Sequence, residues 1–143
     1  REKRFWFRLL VQNFGIEIVV GKLEELNEME SLDKKVEEFI IAECCAHYKV
    51  DLVELKNSTR ISTKALVARN MCVVLMKKHI PDYTDIKIAN TLNKEASTIV
   101  KTAMKEFYNM DAKIKHEKIF LDIYHALNDK VKTFKVQVKV FNN

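Results

Sequence analysis

Apolar residues recur every three or four positions along most of the chain, which is the spacing of an amphipathic helix. Ser31 and Thr84 are suited to cap the start of a helix, and Gly15 is suited to cap an end. The pattern predicts helices over 3–14, 21–30, 32–48, 50–55, 63–79, 85–92, 95–110 and 112–129. Two glycines and one proline are few for a sheet-rich fold, so the sequence predicts a mainly α, multi-helix fold.

Two segments instead have the composition or the period of a β-strand. Residues 16–20 (IEIVV) are rich in β-branched side chains, and residues 133–141 (TFKVQVKVF) alternate at period two. A single strand leaves backbone groups unpaired, so these segments are predicted to form a small two-stranded pairing. The alternative partner is the same tail in a second copy, which would give a homodimer. The aromatic cluster FWF at 5–7 is the other candidate subunit contact, or part of the core.

The segment 84–110 has the form of a helix-turn-helix, in which two helices are joined by a turn of about one residue at Asn93. The apolar residues predicted to pack the two helices together are Ile86, Ile88, Ala89, Leu92, Ile99, Val100 and Ala103. The second helix begins with small, polar and basic residues, which is typical of a helix that enters the major groove of DNA.

Four side chains at this helix start are candidate DNA contacts. Lys94 and Lys101 are suited to bind phosphates, and Ser97 and Thr98 are suited to hydrogen-bond phosphates or base edges. The Thr98 methyl group is also suited to contact a thymine methyl group.

Charge is distributed unevenly along the chain. The net charge is +5, but residues 1–48 carry −3 and residues 49–143 carry +8. Residues 56–105 hold 10 basic and 3 acidic side chains. A local excess of this size favours a polyanionic partner.

The order and spacing of four stretches resemble one known domain. They are HYKVDLVEL at 47–55, ARNMCVVLMKK at 68–78, TDIKIANTLNKEASTIVK at 84–101 and HEKIFLDIYHAL at 116–127. Residues 31–127 are similar to the C-terminal DNA-binding domain (domain IV) of the bacterial replication initiator DnaA. In that family the helix-turn-helix reads the major groove of double-stranded DNA.

The signature of that family at the recognition helix is matched in part. Asn93 stands where the family has two glycines, Lys94 where it has arginine and Glu95 where it has aspartate. Ala96 replaces a base-reading histidine, and the two residues that follow match a threonine pair. The resemblance therefore implies DNA contacts here, with departures at Asn93, Glu95 and Ala96 that alter the family's usual DNA box.

The resemblance also implies contacts from a basic loop upstream, because arginines of that loop enter the minor groove in the family. Here Lys56, Arg60 and Lys64 occupy the loop, and Arg69 lies at its exit into the next helix. The loop is less basic than is usual for the family.

These observations predict a domain organisation and a function class. Residues 1–30 are predicted to be a helical extension, 31–130 the DnaA-like domain and 131–143 a strand-like tail. A GxxxxGK[ST] phosphate loop is missing, so the initiator's ATPase is not encoded here. We expect a non-enzymatic protein without a cofactor that binds double-stranded DNA in bacterial replication or transcription regulation.

The cysteines and histidines do not suggest a metal site. Cys44, Cys45 and Cys72 are odd in number and irregularly spaced, so free thiols in a reducing cytoplasm are expected. No apolar run approaches the ~20 residues of a membrane span, so no membrane association is expected. The chain starts at Arg1, which leaves open an upstream segment or a removed targeting peptide.

Two alternative functions stay open at this point. The weakened basic loop and Ala96 are compatible with a protein-interaction module that kept the fold and lost DNA binding. The basic surface and the aromatic residues are compatible with an RNA-binding or single-strand-binding domain.

Overall fold

The computed structural model describes residues 16–57, 62–94 and 97–142, and it is helical throughout these ranges apart from short connections. The mainly α fold is therefore confirmed for this part of the chain. Its helices are α1 (Ile16–Tyr48), α2 (Leu52–Lys56), α3 (Thr63–His79), α4 (Asp85–Thr91), α5 (Thr98–Tyr108) and α6 (Lys115–Asn142). The predicted helix over 3–14, its Gly15 cap and the cluster at 5–7 lie outside the described residues.

The chain divides into two compact units, Arg1–Lys35 and Val36–Asn143. Every candidate DNA-binding residue belongs to the second unit.

The strand predicted at residues 16–20 is wrong, because these residues open helix α1. The β-branched run is followed by GKLEELNEME, which is rich in good helix formers. Helix propagation is cooperative, so a strong downstream segment extends into a weaker neighbour. Ser31 lies inside the same helix and is not the predicted N-cap.

The strand predicted at residues 133–141 is also wrong, because α6 runs to Asn142. Phe134 is half-buried and stacks on Phe39 of α1, with ring centroids 4.1 Å apart and planes 4° from parallel. Val136 and Val140 are 61% and 67% exposed. The described residues therefore contain no two-stranded pairing of the chain ends, and the tail offers no strand edge to a second copy.

Side chains cap three helix starts in the second unit. Thr84 caps α4 as predicted, since its Oγ1 accepts a hydrogen bond from the Lys87 backbone N–H at 3.1 Å. Asp51 and Ser62 cap α2 and α3 in the same way. Each such cap stabilises a helix by roughly 1 kcal/mol.

Helix α3 lies at the centre of this unit and packs against α2, α5 and α6. Six consecutive residues from Met71 to Met76 are buried, so the helix has core on several sides. Leu66 is 37% exposed, whereas the smaller Ala65 and Ala68 are fully buried.

A buried polar pair joins the end of α3 to α6. The His79 ring nitrogen Nε2 lies 2.6 Å from Oδ1 of Asn128, and both residues are buried. Burial lowers the pKa of His79, and the nearby ammonium groups of Lys135, Lys78 and Lys132 lower it further. The Asn128 hydrogen bond opposes this shift without cancelling it.

We expect the folded state to lose stability as the pH falls below about 6.5, the ordinary pKa of histidine. Because the pKa of His79 is lower in the folded state, its ring takes up a proton less readily there than in the unfolded state, so acid favours unfolding by at most about 1.4 kcal/mol per pH unit. Urea unfolding between pH 7.5 and 5.0 measures this dependence. It should be shallower in His79→Gln, and unchanged in the exposed control His125→Gln. Equal slopes in wild type and His79→Gln would contradict the role of His79.

Candidate nucleic-acid interface

Helix α4 is the first helix of the predicted helix-turn-helix, and its buried face carries Ile88, Ala89 and the adjoining Leu92. Ile86 was predicted to share this face, but it is 62% exposed. Side chains two residues apart point to nearly opposite sides of a helix, so Ile88 reaches the core and Ile86 does not.

The buried carboxylate of Glu37 in α1 contacts residues at both ends of α4. Glu37 Oε1 accepts a hydrogen bond from the Tyr83 hydroxyl at 2.9 Å. It also lies 3.4 Å from Thr91 Oγ1, whose hydroxyl donates to the Lys87 carbonyl at 2.9 Å as well. Tyr83 precedes α4 and Thr91 is its last residue, so Glu37 fixes the position of α4 relative to α1.

Helix α4 ends in a Schellman motif built on Asn93. The backbone of Asn93 has φ 58°, the left-handed region in which asparagine is among the better tolerated residues. The Lys94 N–H donates to the Ala89 carbonyl at 2.8 Å, and the Asn93 N–H donates to the Asn90 carbonyl at 3.0 Å. These bonds use carbonyl groups that have no partner within the helix.

The connection between the two helices is longer than the predicted single residue. Helix α5 starts at Thr98, not at residue 95, and it ends at Tyr108, not at residue 110. Ser97 precedes the helix with a helical backbone conformation, and its side chain makes no capping hydrogen bond.

Helix α5 has two distinct faces. Val100 and Ala103 are buried, and the helix packs against α3 and α4. The opposite face carries four exposed side chains at spacings of three, four and seven residues, which we call the outward stripe: Thr98, Lys101, Thr102 and Lys105. The stripe is basic and hydroxyl-rich, and the exposed carboxylate of Glu106 lies beside it, four residues after Thr102.

The turn and the upstream loop, which are far apart in the sequence, meet in the structure. Asn93 Nδ2 donates to the Lys56 carbonyl at 3.3 Å, and Lys94 Nζ donates to the Asn57 carbonyl. Two consecutive turn residues thus hold the end of α2, where the predicted basic loop begins.

Lys94 and Arg69 are therefore less available to DNA than the sequence suggested. Lys94 is half-buried, and burial together with the charge of Arg69 lowers its pKa. Arg69 is also half-buried, burial lowers its pKa, and its Nε atom has no hydrogen-bond partner among the described residues. We assign Lys94 to the support of the turn and the end of α2, since its ammonium group donates to the Asn57 carbonyl; Arg69 lies near Lys94 and is partly withdrawn from solvent.

The other residues predicted to contact DNA differ in how exposed their side chains are. Lys64 is exposed in the first turn of α3, whereas Lys56 is half-buried at the end of α2. Ser97 is half-buried and Thr98 is exposed. Arg60 and Glu95 lie outside the described residues.

Two residues of the outward stripe, Thr102 and Lys105, were missed by the sequence analysis. The signal was present, since they follow Thr98 by four and seven residues, the spacing of one helix face. The family signature covers only the start of the helix, so it does not include these two residues.

Other kinds of site find no support in the described ranges. The three cysteines are free thiols, and no three histidine, cysteine or acidic side chains converge on a point suited to a metal ion in residues 16–57, 62–94 and 97–142. None of the helices in that same part of the chain has the length and apolar character required to cross a bilayer.

No protein-family model, curated protein or solved structure matches this chain. The resemblance to the DnaA domain therefore rests on the four sequence stretches alone.

Proposed function

We propose that this protein binds double-stranded DNA through the α4–α5 helix-turn-helix, with the outward stripe of α5 in the major groove. The observation that carries the proposal is the exposed face of α5, where two lysines and two threonines line up while the opposite face is packed. A major groove about 12 Å wide admits one α-helix of this kind.

The lysines and the threonines of the stripe have different roles in DNA binding. Lys101 and Lys105 bind phosphates by charge, which gives affinity for any duplex and makes binding sensitive to salt. Thr98 and Thr102 offer a hydroxyl for base edges and a methyl group for thymine, which gives sequence preference. Lys64, exposed at the start of α3, adds a phosphate contact beside the basic loop. The protein is non-catalytic and acts in the cytoplasm, in replication or transcription regulation.

Fluorescence anisotropy with a labelled duplex of random sequence tests the proposal. We expect the protein to bind the labelled duplex at low salt and to bind it more weakly as salt is added. Unlabelled duplex should displace the labelled duplex. Selection from a random duplex pool then defines the preferred site. A folded protein that binds no duplex at low salt would reject the proposal and favour the protein-interaction alternative.

Replacing Thr98 with valine should reduce sequence preference without reducing general affinity. The variant keeps the bulk and one methyl group but loses the hydroxyl, which should cost about 1–3 kcal/mol at the selected site and little on random duplex. The exposed Thr133→Val on α6 is the matched control, and circular dichroism verifies the fold. A selected site that is bound equally by wild type and Thr98→Val would remove Thr98 from base recognition.

A further inference from the structure

A second candidate site lies where the end of α3 meets the end of α5. It is a depression of about 320 Å³ whose walls include three aromatic rings, those of Phe107, Tyr108 and Tyr124. The ring centroids of Phe107 and Tyr124 are 4.8 Å apart, and those of Phe107 and Tyr108 are 5.9 Å apart. Small-molecule pockets begin at roughly 300 Å³, so this depression suits a ligand of about the size of one nucleotide.

The ring of Tyr108 is unusual in its exposure. It is 76% exposed, whereas Tyr124 is buried and Phe107 is half-buried. A large aromatic side chain held in the open at the last residue of a helix stabilises little of the core. Its free ring surface is instead suited to stack on a flat aromatic ligand.

Lysines surround this ring. Lys77 and Lys78 line the aromatic depression, and an adjoining depression of about 340 Å³ shares Lys77 and Tyr108 and adds Lys101 and Lys105. Asp85 lies in the adjoining depression and pairs with Lys77 at 2.9 Å.

The charge around the ring remains positive after the opposing groups are counted. The two helix ends each contribute about −0.5 charge. Together with the carboxylate of Asp85, the two helix ends give a negative charge of about −2, and the four lysines give a positive charge of +4. The surroundings of Tyr108 therefore combine an exposed ring with net positive charge, the combination that binds a base and its phosphate.

We propose that this aromatic depression binds an unpaired nucleotide, with its base stacked on Tyr108 and its phosphate on Lys78 and the neighbouring lysines. This proposal does not depend on duplex binding, although Lys101 and Lys105 belong both to the surroundings of Tyr108 and to the outward stripe. Tyr108 lies ten residues after Thr98, about 15 Å further along the helix axis. The ligand is either a nucleotide within a single strand or a free nucleotide, which share this chemistry.

Three probes on the full chain separate the sources: adenosine monophosphate, a 12-residue oligodeoxyadenylate and a blunt duplex of mixed sequence. Labelled strands are followed by anisotropy and adenosine monophosphate by calorimetry. The variants are Tyr108→Ala, Tyr108→Phe and Lys78→Ala, with Ile86→Ala as a control at another exposed apolar residue. Tyr108 is largely exposed, so its replacement should leave the thermal unfolding curve unchanged.

Tyr108→Ala should weaken binding of the single strand by roughly 5- to 150-fold, the range expected for loss of one stacked base. Tyr108→Phe keeps the ring and should bind within about twofold of wild type. Lys78→Ala should lower the salt slope for the single strand by about 0.7. Binding of the duplex should be unaffected by Tyr108→Ala.

Strong binding of the strand with weak binding of adenosine monophosphate supports a strand ligand, and comparable binding of the two supports a free nucleotide. The proposal is overturned if the wild type binds neither, if Tyr108→Ala leaves strand binding unchanged, or if that variant weakens duplex binding equally. Strand binding without duplex binding would overturn only the proposed duplex function.

Discussion

An Ile88→Ala variant is expected to lose about 2–5 kcal/mol of folding free energy, the usual cost of removing a buried isoleucine side chain. Ile88 is fully buried beneath the helix-turn-helix, so the truncation leaves a cavity under α4. Domains of this kind are stable by only about 5–15 kcal/mol, so the loss is a large part of the total. Urea unfolding followed by circular dichroism measures it.

Ile86→Ala is the matched control for this variant. It removes the same atoms from the same helix two residues away, but Ile86 is 62% exposed. Its effect on stability should stay within about 0.5 kcal/mol. Equal losses for the two variants would mean that α4 is rotated about its axis relative to the structure described above, and would undermine the placement of the outward stripe.

The double variant Lys101→Ala/Lys105→Ala is expected to bind duplex DNA roughly 10- to 100-fold more weakly than wild type near 0.1 M salt. Each lysine that contacts a phosphate releases a condensed counterion, so the slope of log affinity against log salt should fall by about 0.9 for each, or about 1.8 in total. Both side chains are exposed on α5, so the fold should not change. A salt titration by anisotropy gives both quantities.

The control pair is Lys132→Ala/Lys139→Ala, which removes the same charge from exposed positions on α6. It should lower affinity by much less, because charge at a distance is screened over about 10 Å at 0.1 M salt. An equal loss in affinity and slope for the two pairs would show that binding responds to net charge alone. The outward stripe would then have no special part in it.

Much of the candidate interface was predictable from the sequence, because its elements are local. Thr84 was identified as an N-cap, Asn93 as the residue of the turn, and Lys101 as a basic residue of the second helix. Each depends on neighbours within about four residues, and local spacing carries that information.

The role of Lys94 was not predictable in this way. Its ammonium donates to the Asn57 carbonyl, 37 residues earlier in the chain. Only the approach of the turn to the end of α2 brings these groups together. Sequence spacing alone therefore could not distinguish a lysine that supports the loop from one that faces DNA.

The C-terminal tail shows the same limit for secondary structure. Its alternation of apolar and polar residues at period two predicted a strand. Residues at spacings of three and four also continue the buried face of α6 into the tail: Phe120, Tyr124, Leu127, Val131 and Phe134. Phe134 fits both the strand period of two and the helix spacing of three or four residues. In the structure the tail is helical, and Phe134 stacks on Phe39 of α1.

The sequence by itself determined the helical class, the N-cap of α4 and the basic character of residues 56–105, since these depend on residue type and local spacing. Tertiary structure decided the helical state of residues 133–141, the burial of Ile88 rather than Ile86, and the internal use of Lys94. The physical reason is that a side chain's partner and its exposure depend on segments distant in the sequence, whose approach is set by packing of the whole core.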